Sequence, residues 1–489
     1  MNYTSDLRVD SSLGFTSMSW IPYFSGFMAL VLLVIFKMDK WLTICLNNNK
    51  PRFPLPPGPK PLPFFGCIFQ MLRNRPTNRW ICKVMDDLNT EIACIRIFGV
   101  HVNPVTSPEL AREFCKKQDS IFSSRPVCMS AELCSGGFLT TGLSPLGDQH
   151  KKMKRMVVSS VLSPAKHQWL QCKRAEEADH LVNYVYNQCK DNATGGLVDI
   201  RLVTQHYCGN VIRKMIFNKR FFGKGMEDGG PGAEEVEHIN ALFKILAYLY
   251  AFSLSDYIPW MKIFYFDGHR KILTEAVACV RKHQDPKIEK RIKMWESGLK
   301  NEEEDLLDVL IRLKDSNGRP LLTTEEIRAQ ITELMFATVD NPSNAVEWAL
   351  AEMLNQPEML QKATEELDAA CVRESFRLHP LAPFNVPHVS TQDTFVGGYF
   401  IPKGSHVILS RPGLGRNPRI WEDPLKYKPE RHMKDSSTLT VMLLARLLQC
   451  FSWKIPSGHS QIDLVECEDA GFLAKPLVAV AEPRFPQPN

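Results

Sequence analysis

Closely spaced cysteine pairs are missing from this 489-residue chain: its 14 cysteines are scattered, with no C-x-x-C among them. That spacing excludes the usual zinc modules and supplies no disulfide framework, so reduced thiols are expected. A large charge excess is missing as well. The net charge of +5 is modest for the length. It fits a basic docking patch or a membrane surface and argues against a nucleic-acid-coating protein. H-E-x-x-H, a P-loop, G-x-S-x-G and a complete G-x-G-x-x-G are all absent, as are internal repeats. Zincin, phosphate-loop, serine-hydrolase and dinucleotide chemistry are therefore left without a signature.

What is present begins with one long apolar run. Trp20 to Phe36 carries no charge, and Lys37, Lys40, Lys50 and Arg52 follow it. That length lies within the range of a spanning helix, and the flanking lysines place the rest of the chain in the cytosol. A cleaved signal peptide is the alternative, but the small-residue cleavage site it requires is missing. Residues 51–63 are rich in proline, which forbids helix and favours a stiff extended hinge. The expected organisation is a membrane anchor with its flanks over 1–50, the hinge over 51–63, and one domain over 64–489. That domain is expected to be mainly α with a minor β-sheet. Between Thr394 and Leu409, Gly397-Gly398 and Pro402-Lys403-Gly404 separate short β-rich runs, as in a hairpin.

The most informative helix starts near Thr323, where Thr323 and Glu326 have capping-box spacing. Ile327, Ile331, Leu334 and Met335 recur on one face, and the run continues through Asp340-Asn341-Pro342-Ser343-Asn344. Pro342 has no N–H, so the carbonyl of Thr338 loses its helical partner. An opening flanked by Asp340, Asn341 and Asn344 has room for a water or a polar ligand. A plain proline kink with incidental polar neighbours gives the same pattern.

Further on come Glu374-Ser375-Phe376-Arg377, an E-x-x-R, and then Pro429-Glu430-Arg431-His432. With the hinge and the interrupted helix, these stand in the order found in cytochromes P450. Asp340-Asn341-Pro342-Ser343-Asn344, Ala382-Pro383-Phe384-Asn385, Pro387-His388-Val389-Ser390 and Gly413-Leu414-Gly415-Arg416-Asn417-Pro418 resemble the plant amino-acid N-hydroxylases of that superfamily. The resemblance implies a P450 fold with haem as cofactor and conversion of an amino acid to its aldoxime in plant defence metabolism. It also implies electrons from an NADPH-cytochrome reductase, attachment to the endoplasmic reticulum membrane and no nucleic-acid partner. By resemblance Asp340 and Asn341 are the catalytic pair in the oxygen-binding helix, with Asn341 at the usual threonine position. Glu374, Arg377 and Arg431 form a structural triad. His150, Lys154 and His388 hold the haem propionates, and Thr140, Thr141, Asn344 and Phe384 fall in pocket-lining segments.

The sequence departs from that pattern at two junctions. After His432 the chain runs Met433 to Thr440 and then straight into Val441-Met442-Leu443-Leu444, without the F-x-x-G-x-R-x-C-x-G loop that carries the iron-ligating cysteine. No metal ligand is therefore assigned. Cys450 is the nearest cysteine, but Leu448 stands where the loop's arginine belongs, so a buried structural thiol is the expected role. Gaps are inferred near 368/369 and 436/437. At the first, no glycine or proline interrupts Glu358 to His379, so two helices are expected to fuse and turn Glu374 and Arg377 away. In the helix that follows Gly147-Asp148-Gln149, His150 and Lys154 replace the family's Trp-x-x-x-Arg, and lysine lacks the bidentate fork of arginine. The basic run Lys151 to Arg155 has a second reading as a reductase docking surface. The chain as written is expected to be inactive. A non-catalytic anchored remnant and a misassembled reading frame are the alternatives, and an unrelated helical scaffold fits the order of motifs poorly.

Overall fold

The computed structural model describes Gly26 and residues 54–190, 195–258, 268–364, 368–432, 439–467 and 471–486. The apolar run Trp20 to Phe36, apart from Gly26, lies outside the described residues. Among those described, no helix is long and apolar enough to cross a membrane.

Eight principal helices build the body: α1 (Asp148–Met156), α2 (Gln171–Lys190), α3 (Ile200–Phe217), α4 (Ala233–Tyr248), α5 (His269–Glu296), α6 (Thr324–Leu354), α7 (Asp368–Leu378) and α8 (Leu439–Cys450). Among the described residues nine strands, β1 (Ile95–Ile97), β2 (Val100–Val105), β3 (Leu197–Asp199), β4 (His388–Val389), β5 (Thr394–Val396), β6 (Tyr399–Ile401), β7 (His406–Leu409), β8 (Phe451–Lys454) and β9 (Val478–Pro483), form three small sheets. The expected mainly helical fold with a minor sheet is the one observed. In the largest sheet the order is β1-β2-β7-β4, with β2 and β7 parallel and paired from Val102 with His406 to Val105 with Leu409. The expected hairpin is β5–β6. Gly397 and Gly398 both take positive φ at its turn, +58° and +82°, a conformation glycine adopts without a Cβ penalty.

α6 is the axis, with α3, α4, α5, α7 and α8 all packing on it. Its start is fixed by the predicted capping box: Thr323 Oγ1 accepts from the Glu326 N–H, and Glu326 Oε2 accepts from the Thr323 N–H at 2.8 Å. Ile327, Ile331 and Met335 are buried as their spacing predicts. The helix continues through Pro342. Ser343 Oγ donates to the carbonyls of Val339 and Asp340 at 2.9 and 3.0 Å, and Thr338 Oγ1 donates to Leu334 O at 2.7 Å. These hydroxyls bond carbonyls of the turns around the proline, where the backbone ladder is incomplete. Deeper in, Trp348 is fully buried and stacks on His379 at 3.8 Å.

One expectation is corrected. Glu374 and Arg377 are not turned away: Arg377 grips Glu374 with two bonds of 2.7 Å, one from Nε and one from Nη2. Arg431 Nε stands 3.5 Å from Glu374 Oε1. His432, which the sequence reading left out of the triad, comes closer, with Nε2 2.9 Å from Glu374 Oε2. Residues 365–367 lie outside the described residues, so fusion itself is not decided there. The direction of α7 is decided by tertiary contacts. Cys371, Val372 and Leu378 sink into the main core, and Glu374 has no alternative partners for a fully buried charge. Packing of this kind overrides local helix propensity.

The Glu374 carboxyl is held well below the ordinary range, at about 2, because Arg377, His432 and the Lys428 N–H outweigh its burial. A carboxyl depressed on folding stabilises the fold above its unfolded pKa, and that contribution is lost as pH falls from about 4.5 towards 2. Glu374→Gln should therefore lower stability at pH 7 by about 3 kcal/mol, since Arg377 is left as a buried unpaired charge. Thermal melts of the two proteins should converge as the pH approaches 2; a gap that is the same at every pH would refute this account.

Candidate active site

α6 is almost wholly buried from Val339 to Leu354, yet Asn341 is exposed, as is Ala337 one turn earlier. These positions share a helical face that is open to solvent, and the space in front of it is termed the hollow. Asp340, beside them, points into the protein: it is 4% exposed, and its Oδ1 has no hydrogen-bond partner. Burial alone raises its carboxyl to about 7. Its charge in turn helps push up the thiol of Cys208 on α3, which places the acid against that helix. Asn344 is engaged elsewhere. Its Nδ2 donates to Gly471 O at 3.2 Å, next to the Trp348 Nε1 bond to the same carbonyl at 2.8 Å, so it tethers the C-terminal segment.

The expected propionate residues gather around a cation that sequence reasoning missed. Arg125 donates from Nη1 to Val386 O and Pro387 O at 3.1 and 3.0 Å, leaving its buried Nε without a partner. Burial lowers its pKa. His150 on α1 is buried with Nδ1 unpartnered, and its pKa is lowered first by burial and then by Lys154 and Arg125. His388 is lowered by burial and then by Arg125; its Nδ1 lies 2.8 Å from Phe122 O. Arg125 depresses both histidines, and the unpartnered buried nitrogens of Arg125 and His150 offer a cradle for an anion. Lys154 stands exposed at its edge. The signal available in the sequence was Ser124-Arg125-Pro126, an arginine fixed in front of a proline.

The charge of Glu333 on α6 acts on both Arg125 and Tyr250. Its two oxygens accept from the Gly142 N–H at 3.0 Å each. Thr141 is turned onto α6, donating from N and Oγ1 to Gln330 Oε1 at 3.1 and 2.9 Å. Thr140 is buried with Oγ1 unpartnered, and Phe384 is half-buried, bridging to Ser410. Of the basic run, Lys152 is committed to Glu326 at 2.7 Å, whereas Lys151, Lys154 and Arg155 remain exposed.

The cytochrome P450 family profile matches residues 56–370 and 369–441. Isoleucine N-monooxygenase 1 of Lotus japonicus is 53% identical over 92% of this chain and 93% of its own length. The chain is a cytochrome P450 of the amino-acid N-monooxygenase branch. A phenylalanine N-monooxygenase of Prunus mume is 50% identical over 94% of this P450 and 98% of its own. Valine N-monooxygenase 1 of Manihot esculenta is 48% identical over 99% and 98%. A solved zebrafish cytochrome P450, determined with progesterone, shares the fold at a TM-score of 0.68 and 21% identity, covering 84% of this chain and 100% of that one.

Haem is the cofactor of this family, and the P450 fits it on one side only. The orphaned nitrogens of Arg125 and His150 suit two carboxylates. No cysteine stands between His432 and α8 to ligate iron. Burial keeps thiols protonated elsewhere: Cys94 and Cys134 are pushed up to about 12, and Cys450, beside Arg446 and Asp179 at the end of α8, is raised as well. The donor set therefore does not suit a thiolate-ligated iron.

Asp340 gives a test that needs no cofactor. Its carboxyl is raised on folding from 3.8 to about 7, so the stability it contributes is fully present below 3.8 and is lost progressively as pH rises from there to about 7. Asp340→Asn should match the parent in melting temperature near pH 3.8 and exceed it at pH 8 by a few degrees, on the order expected for a relieved buried charge. Equal melting temperatures at pH 8 would mean that Asp340 is not held buried and partnerless.

Proposed function

We propose that this chain descends from an enzyme converting an amino acid to its aldoxime, and that the form encoded here does not turn over because it offers iron no thiolate. The observation that carries the proposal is the pairing of a retained distal face with a missing proximal ligand. Asp340 and Asn341 keep an ionisable group of near-neutral pKa beside an exposed amide, the arrangement a proton-delivery step requires. Asp340 holds the proton, and Asn341 is the group on the hollow side able to pass it on. An amino acid brings an ammonium and a carboxylate, and the charges around the hollow, Glu333 and the Arg125 group, are of both signs. The relatives named for isoleucine, phenylalanine and valine support the substrate class without selecting among its members. In the family haem supplies the oxygen chemistry.

The two junctions near 368/369 and 436/437 support a spliced or misassembled origin. The family match breaks into two stretches that meet at 369–370, and the Lotus and Manihot alignments span 502 and 537 positions against 489 residues here. Sequencing transcripts across Asp368–Ala369 and Ser436–Ser437 separates a true product from a faulty reading frame. The direct functional test has two arms. The chain as written, expressed with ample haem and reduced under carbon monoxide, should lack the long-wavelength band of thiolate-ligated haem. With a relative's segments inserted after Asp368 and Ser436, and with reductase and NADPH, it should form an aldoxime from at least one protein amino acid. In that repaired chain Asp340→Ala should cost ~100-fold in turnover. Hydroxylation of fatty acids alone by a folded, haem-loaded repair would sink the amino-acid reading.

Residues 20–36 are further proposed to anchor the chain in the endoplasmic reticulum membrane, with its body in the cytosol near an NADPH-cytochrome reductase. Exposed Lys151, Lys154 and Arg155 support a basic docking face. Protease added to sealed microsomes should digest the body beyond Lys37, and protection of the C-terminal part would reverse the topology.

A further inference from the structure

Away from the hollow, α4 and α5 bring three metal-binding side chains together on the surface. Cys279 and His283 are one turn apart on α5 and so project from the same face. Glu237 projects from α4 to meet them. A carboxylate oxygen of Glu237, Cys279 Sγ and His283 Nε2 all lie within 4.8 Å of one another. Around a tetrahedral zinc ion, sulfur, nitrogen and oxygen ligands stand roughly 3.3–3.6 Å apart. Only side-chain adjustment separates the present arrangement from that geometry.

We infer that Glu237, Cys279 and His283 form a site for a divalent metal of the zinc class, which clips α4 to α5. The donors are a thiol, an imidazole and a carboxylate, the mixed set that borderline-soft ions select over magnesium or calcium. Much of the organisation is already in place. His283 is buried, and its ring is stacked by Phe222 at 5.7 Å with planes 10° apart, which limits the direction in which Nε2 can point. Its Nε2 already lies 2.8 Å from Glu237 Oε2. Cys279 Sγ sits 3.9 Å from the Glu237 backbone carbonyl, so the thiol is on the α4 side of its helix. Glu237 is half-exposed, which leaves the fourth position open to water.

Two lysines oppose the metal: the charge of Lys244 reaches Cys279, and Lys282 pairs with Glu237. Lys282 Nζ stands 3.0 Å from Glu237 Oε2 and, with His283, holds that carboxyl below its ordinary value. The Lys282 side chain is mostly exposed, so a dication takes its place as it swings into solvent. Binding also converts the Cys279 thiol to a thiolate, with the S–H proton released to solvent as the metal–sulfur bond forms and no change of oxidation state. The consequence is mechanical. α4 packs on α6, and just beyond its end the Tyr250 N–H donates to Ser130 Oγ at 3.0 Å, so tying α4 to α5 stiffens one wall of the hollow.

The test uses the full chain, freed of metal by chelation and titrated with cobalt(II). One equivalent should bind, with a thiolate-to-cobalt charge-transfer band in the near ultraviolet and the visible bands of tetrahedral cobalt. Zinc should bleach both and raise the melting temperature. Cys279→Ser should abolish the charge-transfer band, and His283→Ala should weaken binding at least tenfold. Cys172→Ser, an exposed cysteine elsewhere, should change nothing. If His283→Ala fails to fold, the half-exposed Glu237→Gln serves in its place, with the same tenfold loss expected. A charge-transfer band that survives in Cys279→Ser, or cobalt binding with no such band in the parent, overturns the proposal.

Discussion

One buried carboxylate organises the lower half of this fold. Glu374 is fully excluded from solvent, and a charge there survives only because every lone pair is answered. Arg377 answers with its fork, His432 with Nε2 and the chain at Lys428 with a backbone N–H at 2.8 Å. Arg377 then spends its remaining donors on the carbonyls of Gly415, Pro424 and Lys426. A single ion pair thus fixes the course of the irregular stretch 416–428, between a short helix ending at Gly415 and the turn Pro429–His432. Its strength is also why α7 keeps its orientation although its flanks depart from the family pattern.

Asp340 on α6 works by the reverse logic: its Oδ1 has no hydrogen-bond partner, and its acidity is set by exclusion from water, not by neighbours. The satisfied carboxylate and the starved one are both buried, yet their pKa values are driven apart, to about 2 and about 7. Such divergence follows from whether a buried carboxylate finds partners. The burial of Asp340 does not depend on the thiolate loop, since it is set by α3 and by its own helix.

The sequence disclosed those features whose physics is local. The Thr323–Glu326 cap, the apolar stripe of α6 and the Gly397–Gly398 turn each depend on a few neighbouring residues, and each stands as expected. Long-range charge was harder to read. Arg125 meets His150 and His388 only through the fold, so its membership of the cationic cradle could not be counted off from spacing. His432 was passed over because the neighbouring Arg431 was the familiar partner, whereas distance favours the histidine, 2.9 Å against 3.5 Å. The predicted loss of α7's direction failed for a related reason: local propensity was weighed where the burial of a charge decides.

The proline-rich strap has a consequence of its own. Phe400 N–H donates to Pro54 O at 3.0 Å, and Cys94 N–H donates to Pro57 O at 2.8 Å, which laces the strap to β6 and to the residue preceding β1. Gly58 is pressed so close that a Cβ there would stand 2.0 Å from the Cys94 carbonyl oxygen, so no larger residue fits without moving backbone. Tension applied through the N-terminal segment would therefore enter the body at two separate sheets, loading backbone hydrogen bonds before it reaches any helix. α6 would be shielded from that load, and the two strap contacts would act as the mechanical fuse of the molecule.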